Sequence, residues 1–206
     1  MAQTIALIDY GAGNLRSVHN ALIAAGANDV AVTADADAVA AAHRIVLPGV
    51  GAFGACMAAL AALPGMIDVL GEAVIARGTP FLGICVGMQL MVSRGEEHGA
   101  HDGLGWIGGS VEPLTTDDPQ LKIPHIGWND VIPRADPPLI EAGEAYFLHG
   151  YGVRADRRSD VLATTDHGGP VTAAIGRANM IGVQFHPEKS QRYGIALLER
   201  FLEWRP

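Results

Sequence analysis

Residues 80–93, Pro80-Phe81-Leu82-Gly83-Ile84-Cys85-Val86-Gly87-Met88-Gln89-Leu90-Met91-Val92-Ser93, decide the fold. Pro80–Ile84 is a short, continuous apolar run, as expected of a strand covered on both faces, and it passes straight into a helix-like segment, Val86–Ser93. The segments upstream repeat that rhythm. Thr4–Asp9 reads as a first buried strand, and Asn14–Ala25 as a helix with Leu15, Val18 and Leu22 on one stripe and Gly26 as its stop. Val30–Thr33 and Arg44–Leu47 are further strands, Ala34–Ala42 is an alanine-rich helix, and Cys56–Leu63 and Met66–Ala76 are helices. Alternating strands and helices predict a parallel sheet with helices on both sides.

Downstream the pattern changes. From about Arg94 to Pro138 the chain is rich in Gly, Pro and Asp, with short strand-like pieces at Trp106–Val111 and His125–Ile132. Tyr146–Val153, Val161–Thr165, Val171–Ile175 and Ile181–Phe185 read as strands, and an amphipathic helix over Tyr193–Trp204 ends the chain. With no repeat, linker or low-complexity tract, the reading is one α/β domain over residues 1–206, a mostly parallel central sheet with added antiparallel strands.

Composition bounds the function. Twenty-two acidic against 14 basic residues give a net charge of −8, which argues against nucleic acid as a partner, since that needs a basic footprint. Hydrophobic residues make up 49% and charged ones 17%, a balance that excludes disorder. Two cysteines, Cys56 and Cys85, are too few for a disulfide framework and fit a reducing, cytoplasmic setting. No apolar window reaches about 18 residues, and the opening residues carry no basic leader.

Gly83-Ile84-Cys85-Val86-Gly87 is the cysteine form of a nucleophile elbow, in which a sharp strand-to-helix turn raises the nucleophile above the sheet. Side chains on either side of that turn would collide with strand or helix, so small residues are required. The following helix is expected to point N–H groups at Cys85 and favour its thiolate. Alone, the motif also fits a buried, inert cysteine. Gln184-Phe185-His186-Pro187-Glu188 shifts the balance: Pro187 holds His186 extended, and in extended chain Glu188 projects to the same side and orients the imidazole. Pro48-Gly49-Val50-Gly51, after the third strand, is a loop whose backbone N–H groups can meet the negative charge of acyl transfer. The N–H groups of Val50 or Gly51 and of Val86 are the candidate oxyanion donors.

GICVGMQL, QFHPE and PGVG together resemble the class I, triad-type glutamine amidotransferases, whose flavodoxin-like three-layer sandwich matches the predicted layers. More narrowly, Asp9–Ser17, Pro48–Phe53, Pro124–Asn129 and His186–Ser190 resemble the glutaminase subunits of imidazole glycerol phosphate synthases, over nearly the whole chain. The resemblance implies that Cys85 attacks the side-chain amide of glutamine, His186 shuttles protons and Glu188 orients His186. It places Gln89, one helical turn beyond Cys85, in the glutamine pocket. The partner it implies is a separate (β/α) barrel cyclase subunit, receiving ammonia for imidazole glycerol phosphate and aminoimidazole carboxamide ribonucleotide in histidine biosynthesis. Asn14, Trp128 and Tyr146 match segments that face that partner, with a core aromatic as the other reading of Trp128. No cofactor or metal is expected. Other synthases of the same glutaminase family (pyridoxal phosphate or anthranilate type) and a non-glutaminase reactive-cysteine relative are the alternatives.

One position departs from the family: Gly150, in Tyr146-Phe147-Leu148-His149-Gly150-Tyr151, stands where a Ser or Thr is usual. Other features carry less. Gly11-Ala12-Gly13 lacks the third glycine of a dinucleotide loop, because Arg16 occupies its place. His98 and His101 read as solvated loop histidines, Cys56 as a small core residue, and Lys122, Arg157 and Arg158 as solvated cations.

Overall fold

The computed structural model describes residues 3–134, 137 and 139–206. Met1 and Ala2, ahead of the first predicted strand, and Ala135, Asp136 and Pro138, in the Gly/Pro/Asp-rich stretch, lie outside the described residues.

The first half follows the predicted alternation. It runs β1 (Thr4–Ile8), α1 (Leu15–Ala24), β2 (Asp29–Thr33), α2 (Ala36–Ala41), β3 (Arg44–Gly49), α3 (Phe53–Ala61), α4 (Met66–Leu70) and β4 (Phe81–Cys85). The chain of α4 continues over Gly71–Ala76 as a wider turn of i→i+5 hydrogen bonds, closed by Arg77 N–H donating to the Glu72 carbonyl at 3.0 Å. All residues of β3 and β4 are buried, and strand residues alternate between faces, so the sheet is covered on both sides. The helices that cover it form two groups, α2 with α3 and α4, and α1 with the C-terminal helix α6 (Gln191–Glu203).

After β4 come α5 (Val86–Gln89), β5 (Val92–Gly95), β6 (His101–Asp102), β7 (Ile107–Pro113), β8 (His125–Pro133), β9 (Gly143–His149), β10 (Tyr151–Ala155), β11 (Val161–Asp166), β12 (Pro170–Arg177) and β13 (Met180–Val183). Nine strands form one sheet in the order β2-β1-β3-β4-β13-β12-β11-β8-β9, and β10-β7-β5-β6 form a second. The first five are mutually parallel; from β13 to β9 every pairing is antiparallel. β3, β4 and β13 therefore lie side by side, with their C-terminal ends on one edge.

Several expectations are corrected. The helix predicted over Val86–Ser93 is a single turn, because the carbonyls of Leu90, Met91 and Val92 accept from the N–H groups of Leu104, Ile107 and Gly105. That turn is too short to develop much of a dipole, so the expected contribution of a helix N-terminus at Cys85 is small. Tyr146–Val153 is two strands, since at Gly150 the chain leaves the large sheet (β9 on β8) for the small one (β10 on β7). β13 stops at Val183, although the Gln184 N–H still donates to the Ala173 carbonyl of β12 at 2.9 Å. His101 is in β6 and packs on α3: a Cβ on Gly54 would lie 2.7 Å from its ring. Lys122, Arg157 and Arg158 are exposed, as expected, although Arg157 Nε also lies 3.3 Å from Asp160.

Among the described residues no single helix is long and apolar enough to cross a membrane.

Candidate active site

Register brings the pieces together. Gly49 pairs with Cys85 and Val183 with Ile84, so the Pro48–Gly51 loop, Cys85 and the segment from Gln184 emerge side by side. Cys85 has φ 55 and ψ −112, a conformation that costs an L-residue roughly 1–3 kcal/mol. The turn folds α5 back onto the sheet so closely that a Cβ on Gly83 would lie 2.6 Å from the Gly87 carbonyl oxygen. A Cβ on Gly87 would run into the Leu47 carbonyl. Both glycines are thus dictated by backbone contact.

His186 is 2% exposed and its Nδ1 lies 2.9 Å from Glu188 Oε1, whose side chain is 1% exposed. The mechanism of that approach differs from the expectation. His186 is extended, but Pro187–Lys189 forms a 3-10 turn, and the turn rather than an extended strand swings Glu188 back to the ring. Ser190 fixes the turn: its hydroxyl donates to the His186 carbonyl at 2.7 Å and accepts the Tyr146 N–H at 3.0 Å.

The free Nε2 of His186 is buried and makes no hydrogen bond of full geometry within the protein. Cys85 and His186 line the same cavity. Burial lowers the proton affinity of His186, but contact with Cys85 and the Glu188 carboxylate outweigh it and push the pKa up to about 9.

Cys85 and His186 line a cavity of about 240 Å³ together with Val50, Gly51, Val86 and Gln89. All three oxyanion candidates and the expected glutamine-pocket residue are therefore at the cavity. The Pro48–Gly51 loop is held from behind by two side chains. Tyr10 Oη donates to the Pro48 carbonyl at 2.8 Å, and Cys56 Sγ donates to the Val50 carbonyl at 3.4 Å. Cys56 is buried as expected, yet it is more than filler: by holding the Val50 carbonyl it turns the Gly51 N–H away from α3. Burial pushes both the Tyr10 phenol and the Cys56 thiol up, so both stay protonated donors.

Sequence reasoning missed four residues here. Glu97 and His149 line the same cavity. Glu97 Oε2 accepts the Phe53 N–H at 2.8 Å, at the first residue of α3, which ties the carboxylate down. Its loop carries no sequence signal. Gln184 lies inside the His-Pro-Glu motif but was given no role; its Nε2 is 3.6 Å from Cys85 Sγ. Tyr10 lies inside the Asp9–Ser17 motif and was likewise given none.

The interface candidates lie on the surface. Trp128 is 46% exposed, which removes the core-aromatic reading, and it meets half-buried Tyr146 across the β8–β9 pair with ring centroids 6.1 Å apart. Ile126, Ile132 and Leu148 are also exposed on these two strands. Asn14 is half-buried, ahead of α1, with no side-chain capping bond.

A larger cavity, about 670 Å³, lies among β7, β10, β11 and β12 and is lined by Arg134, Arg154 and Arg158 among others. Neither Cys85, His186 nor Glu188 borders it. Among the described residues no group of three or more His, Cys, Asp or Glu side chains is arranged to hold a metal ion.

A cysteine raised on a strand-to-helix elbow, beside an imidazole–carboxylate pair from the neighbouring parallel strand, is the geometry of cysteine acyl transfer. The chain belongs to the class-I glutamine amidotransferases: the family model described as Glutamine amidotransferase class-I matches residues 6–204. Within that class, two relatives of high identity are the same kind of subunit. The imidazole glycerol phosphate synthase subunit HisH of Zymomonas mobilis subsp. mobilis is 59% identical over 208 residues, covering 100% of this chain and 98% of that protein. The subunit HisH of Rhodospirillum rubrum is 50% identical over 212 residues, covering 98% and 99%. The solved structure of PurLQS from Thermotoga maritima shares the fold, with a TM-score of 0.72 at 20% identity over 98% of this chain and 99% of that one.

Proposed function

We propose that this chain is the glutaminase subunit of an imidazole glycerol phosphate synthase and that Cys85, His186 and Glu188 are its catalytic residues. The observation that carries the mechanism is the 2.9 Å His186–Glu188 contact beside Cys85 at one cavity. Glutamine enters with its side-chain amide at Cys85 and its ammonium group toward the Glu97 carboxylate, while Gln89 lines the pocket. The Cys85 thiolate attacks the amide carbon, and the carbonyl oxygen takes negative charge toward the backbone N–H of Val86 and of Val50 or Gly51. His186 passes its Nε2 proton to the leaving nitrogen, so ammonia departs and a thioester remains. The now neutral imidazole takes a proton from water, which attacks the thioester and releases glutamate, restoring thiolate and imidazolium. Glu188 holds Nδ1 throughout, fixing the tautomer. Glutamine and water alone balance the reaction.

Ammonia released into neutral water is protonated and no longer a nucleophile, so a partner must receive it directly. That partner is the (β/α) barrel cyclase subunit, docking on the face that carries Trp128 and Tyr146, with Asn14. The exposed apolar side chains Ile126, Ile132 and Leu148 support this face as the one that becomes covered. The assembly works in the cytoplasm, and residues 1–206 act as one amidotransferase domain. The test is glutamate release from glutamine with and without the purified cyclase and its nucleotide substrate. Cys85→Ala must abolish release in both states; glutamine-dependent activity in that variant overturns the mechanism, and absence of any stimulation by the cyclase overturns the partner.

A further inference from the structure

Two buried hydrogen-bond chains meet at the carbonyl oxygen of Tyr151. His149 Nδ1 lies 2.8 Å from it, and Gln89 Nε2 lies 3.2 Å from it. A carbonyl oxygen only accepts, so both partners must donate. His149 therefore carries its proton on Nδ1, and Gln89 turns its amino group inward.

Each assignment fixes the next. The Gln89 amino group is also 3.0 Å from Gln184 Oε1, so Gln184 shows its oxygen to Gln89 and its amino group to Cys85 Sγ, 3.6 Å away. In the other direction His149 Nε2 is bare, so His125 Nδ1, 3.1 Å away, must donate to it. His125 Nε2 is then bare as well and accepts from Asn129 Nδ2 at 3.1 Å. Asn129 is fixed independently, because its amino group donates to the Asp166 carbonyl at 2.8 Å while its Oδ1 accepts the Asp130 N–H at 2.8 Å. Reversing any member sets donor against donor or acceptor against acceptor. Two backbone carbonyls, of Tyr151 and Asp166, thus dictate every proton in the chain.

The surroundings keep it rigid. Gln184 is fully buried, and His125, His149 and Gln89 are at most 5% exposed. The His125 ring is stacked between Phe147 and His167, at centroid distances of 4.8 and 4.1 Å. Burial and the neighbouring imidazoles hold His125 and His149 to pKa values of about 4, so both are neutral at neutral pH, as the alternation requires.

We propose that Gln184 is a positioning residue for the nucleophile, presenting an amide N–H to the Cys85 sulfur, and that its orientation is dictated by the Tyr151 carbonyl through Gln89. This rests on the reading of Cys85 as nucleophile given above. An N–H donor favours the charged thiolate over the neutral thiol and restricts the sulfur to one place. The same carbonyl also ends the chain that starts at Asn129, beside Trp128 on β8, so one backbone acceptor polarises both arms.

Two measurements test it on the full chain. In wild-type protein labelled with ¹⁵N-histidine, His125 and His149 are both expected as neutral Nδ1–H tautomers at pH 7; an Nε2–H tautomer at either one overturns the relay. Alkylation of Cys85 by iodoacetamide, read by peptide mass spectrometry across pH without glutamine or partner, tests the donor. Gln184→Met keeps the length and removes the N–H; it is expected to slow alkylation at pH 7 about tenfold and move the inflection up by about one pH unit. Wild-type rate and inflection in the folded variant overturn the proposal. Should Gln184→Met fail to fold, Gln89→Met serves: Gln184 loses the donor that turns its amino group to Cys85, so alkylation is expected to slow, and an unchanged rate and inflection overturn the proposal. None of these readouts requires turnover, so they stand apart from the glutaminase assay of Cys85→Ala, which tests whether Cys85 is the nucleophile at all.

Discussion

Lowering the pH from 7.5 to 5.0 probes the neutral state of His125 and His149 without any substrate. Each has a folded pKa of about 4 against an ordinary value of 6.5, because burial and neighbouring imidazoles disfavour the charged ring. A lowered histidine pKa means that the unfolded chain binds more protons through that window, so stability falls as pH drops from 6.5 toward 4. At pH 5 the loss is about 2 kcal/mol for each ring, about 4 kcal/mol for the pair. His186 moves the other way. Its pKa is raised to about 9, so its contribution is complete below 6.5 and lost as pH rises through 9. Between pH 7.5 and 5.0 it returns roughly 1 kcal/mol, leaving a net loss of roughly 2–3 kcal/mol. Against a total stability of roughly 5–15 kcal/mol that is a large change. Urea denaturation followed by tryptophan fluorescence at the two pH values measures it. The paired variant His125→Gln/His149→Gln is less stable at pH 7.5 but is expected to gain rather than lose stability at pH 5.0, since among the described residues His186 is then the histidine left with a large shift. If wild type and the paired variant change by the same amount, the two rings are not the acid-sensitive groups and the reasoning is refuted.

Three further outcomes are expected. Glu188→Gln keeps an oxygen near His186 Nδ1 but removes the charge; kcat/KM for glutamine is expected to fall about a hundredfold or more, with the upper pH limit of activity moving down, and an unchanged pH profile contradicts the carboxylate's role. Gly87→Ala drives a methyl into the Leu47 carbonyl, so chemical denaturation is expected to show a loss of at least about 3 kcal/mol or no folded protein; near-wild-type stability rules out the close approach. At Gly150 the space is open: an added Cβ meets only Pro124, at 3.7 Å. Gly150→Ser is expected to change stability by less than about 1 kcal/mol, and glutamine kinetics then show whether the hydroxyl usual in the family lowers KM.

The parallel half of the fold was legible because its signals are local. Continuous apolar strands, helical spacing and glycine stops each reside in a few adjacent residues, and β1, β3 and β4 lie where those patterns put them. The elbow was legible for the same reason, since Gly83 and Gly87 flank Cys85 in sequence as well as in space. Where the reading went astray, distant partners decided. Val86–Ser93 has helical spacing, but Leu104, Gly105 and Ile107 take the carbonyls a longer helix would need. Tyr146–Val153 looks like one strand until β7 claims its second half. Glu188 reached His186 by a turn rather than by strand alternation, so the pairing was right and its geometry was not. The buried polar chain lies at the far end of that scale. Asn129, His149, Gln89 and Gln184 come from four separate elements, and only the folded chain brings them together. A sequence shows which residues can donate and accept. The direction of each bond is set by an acceptor that every residue type shares, the backbone carbonyl of Tyr151, and for that reason side-chain motifs alone do not reveal which way Gln184 faces.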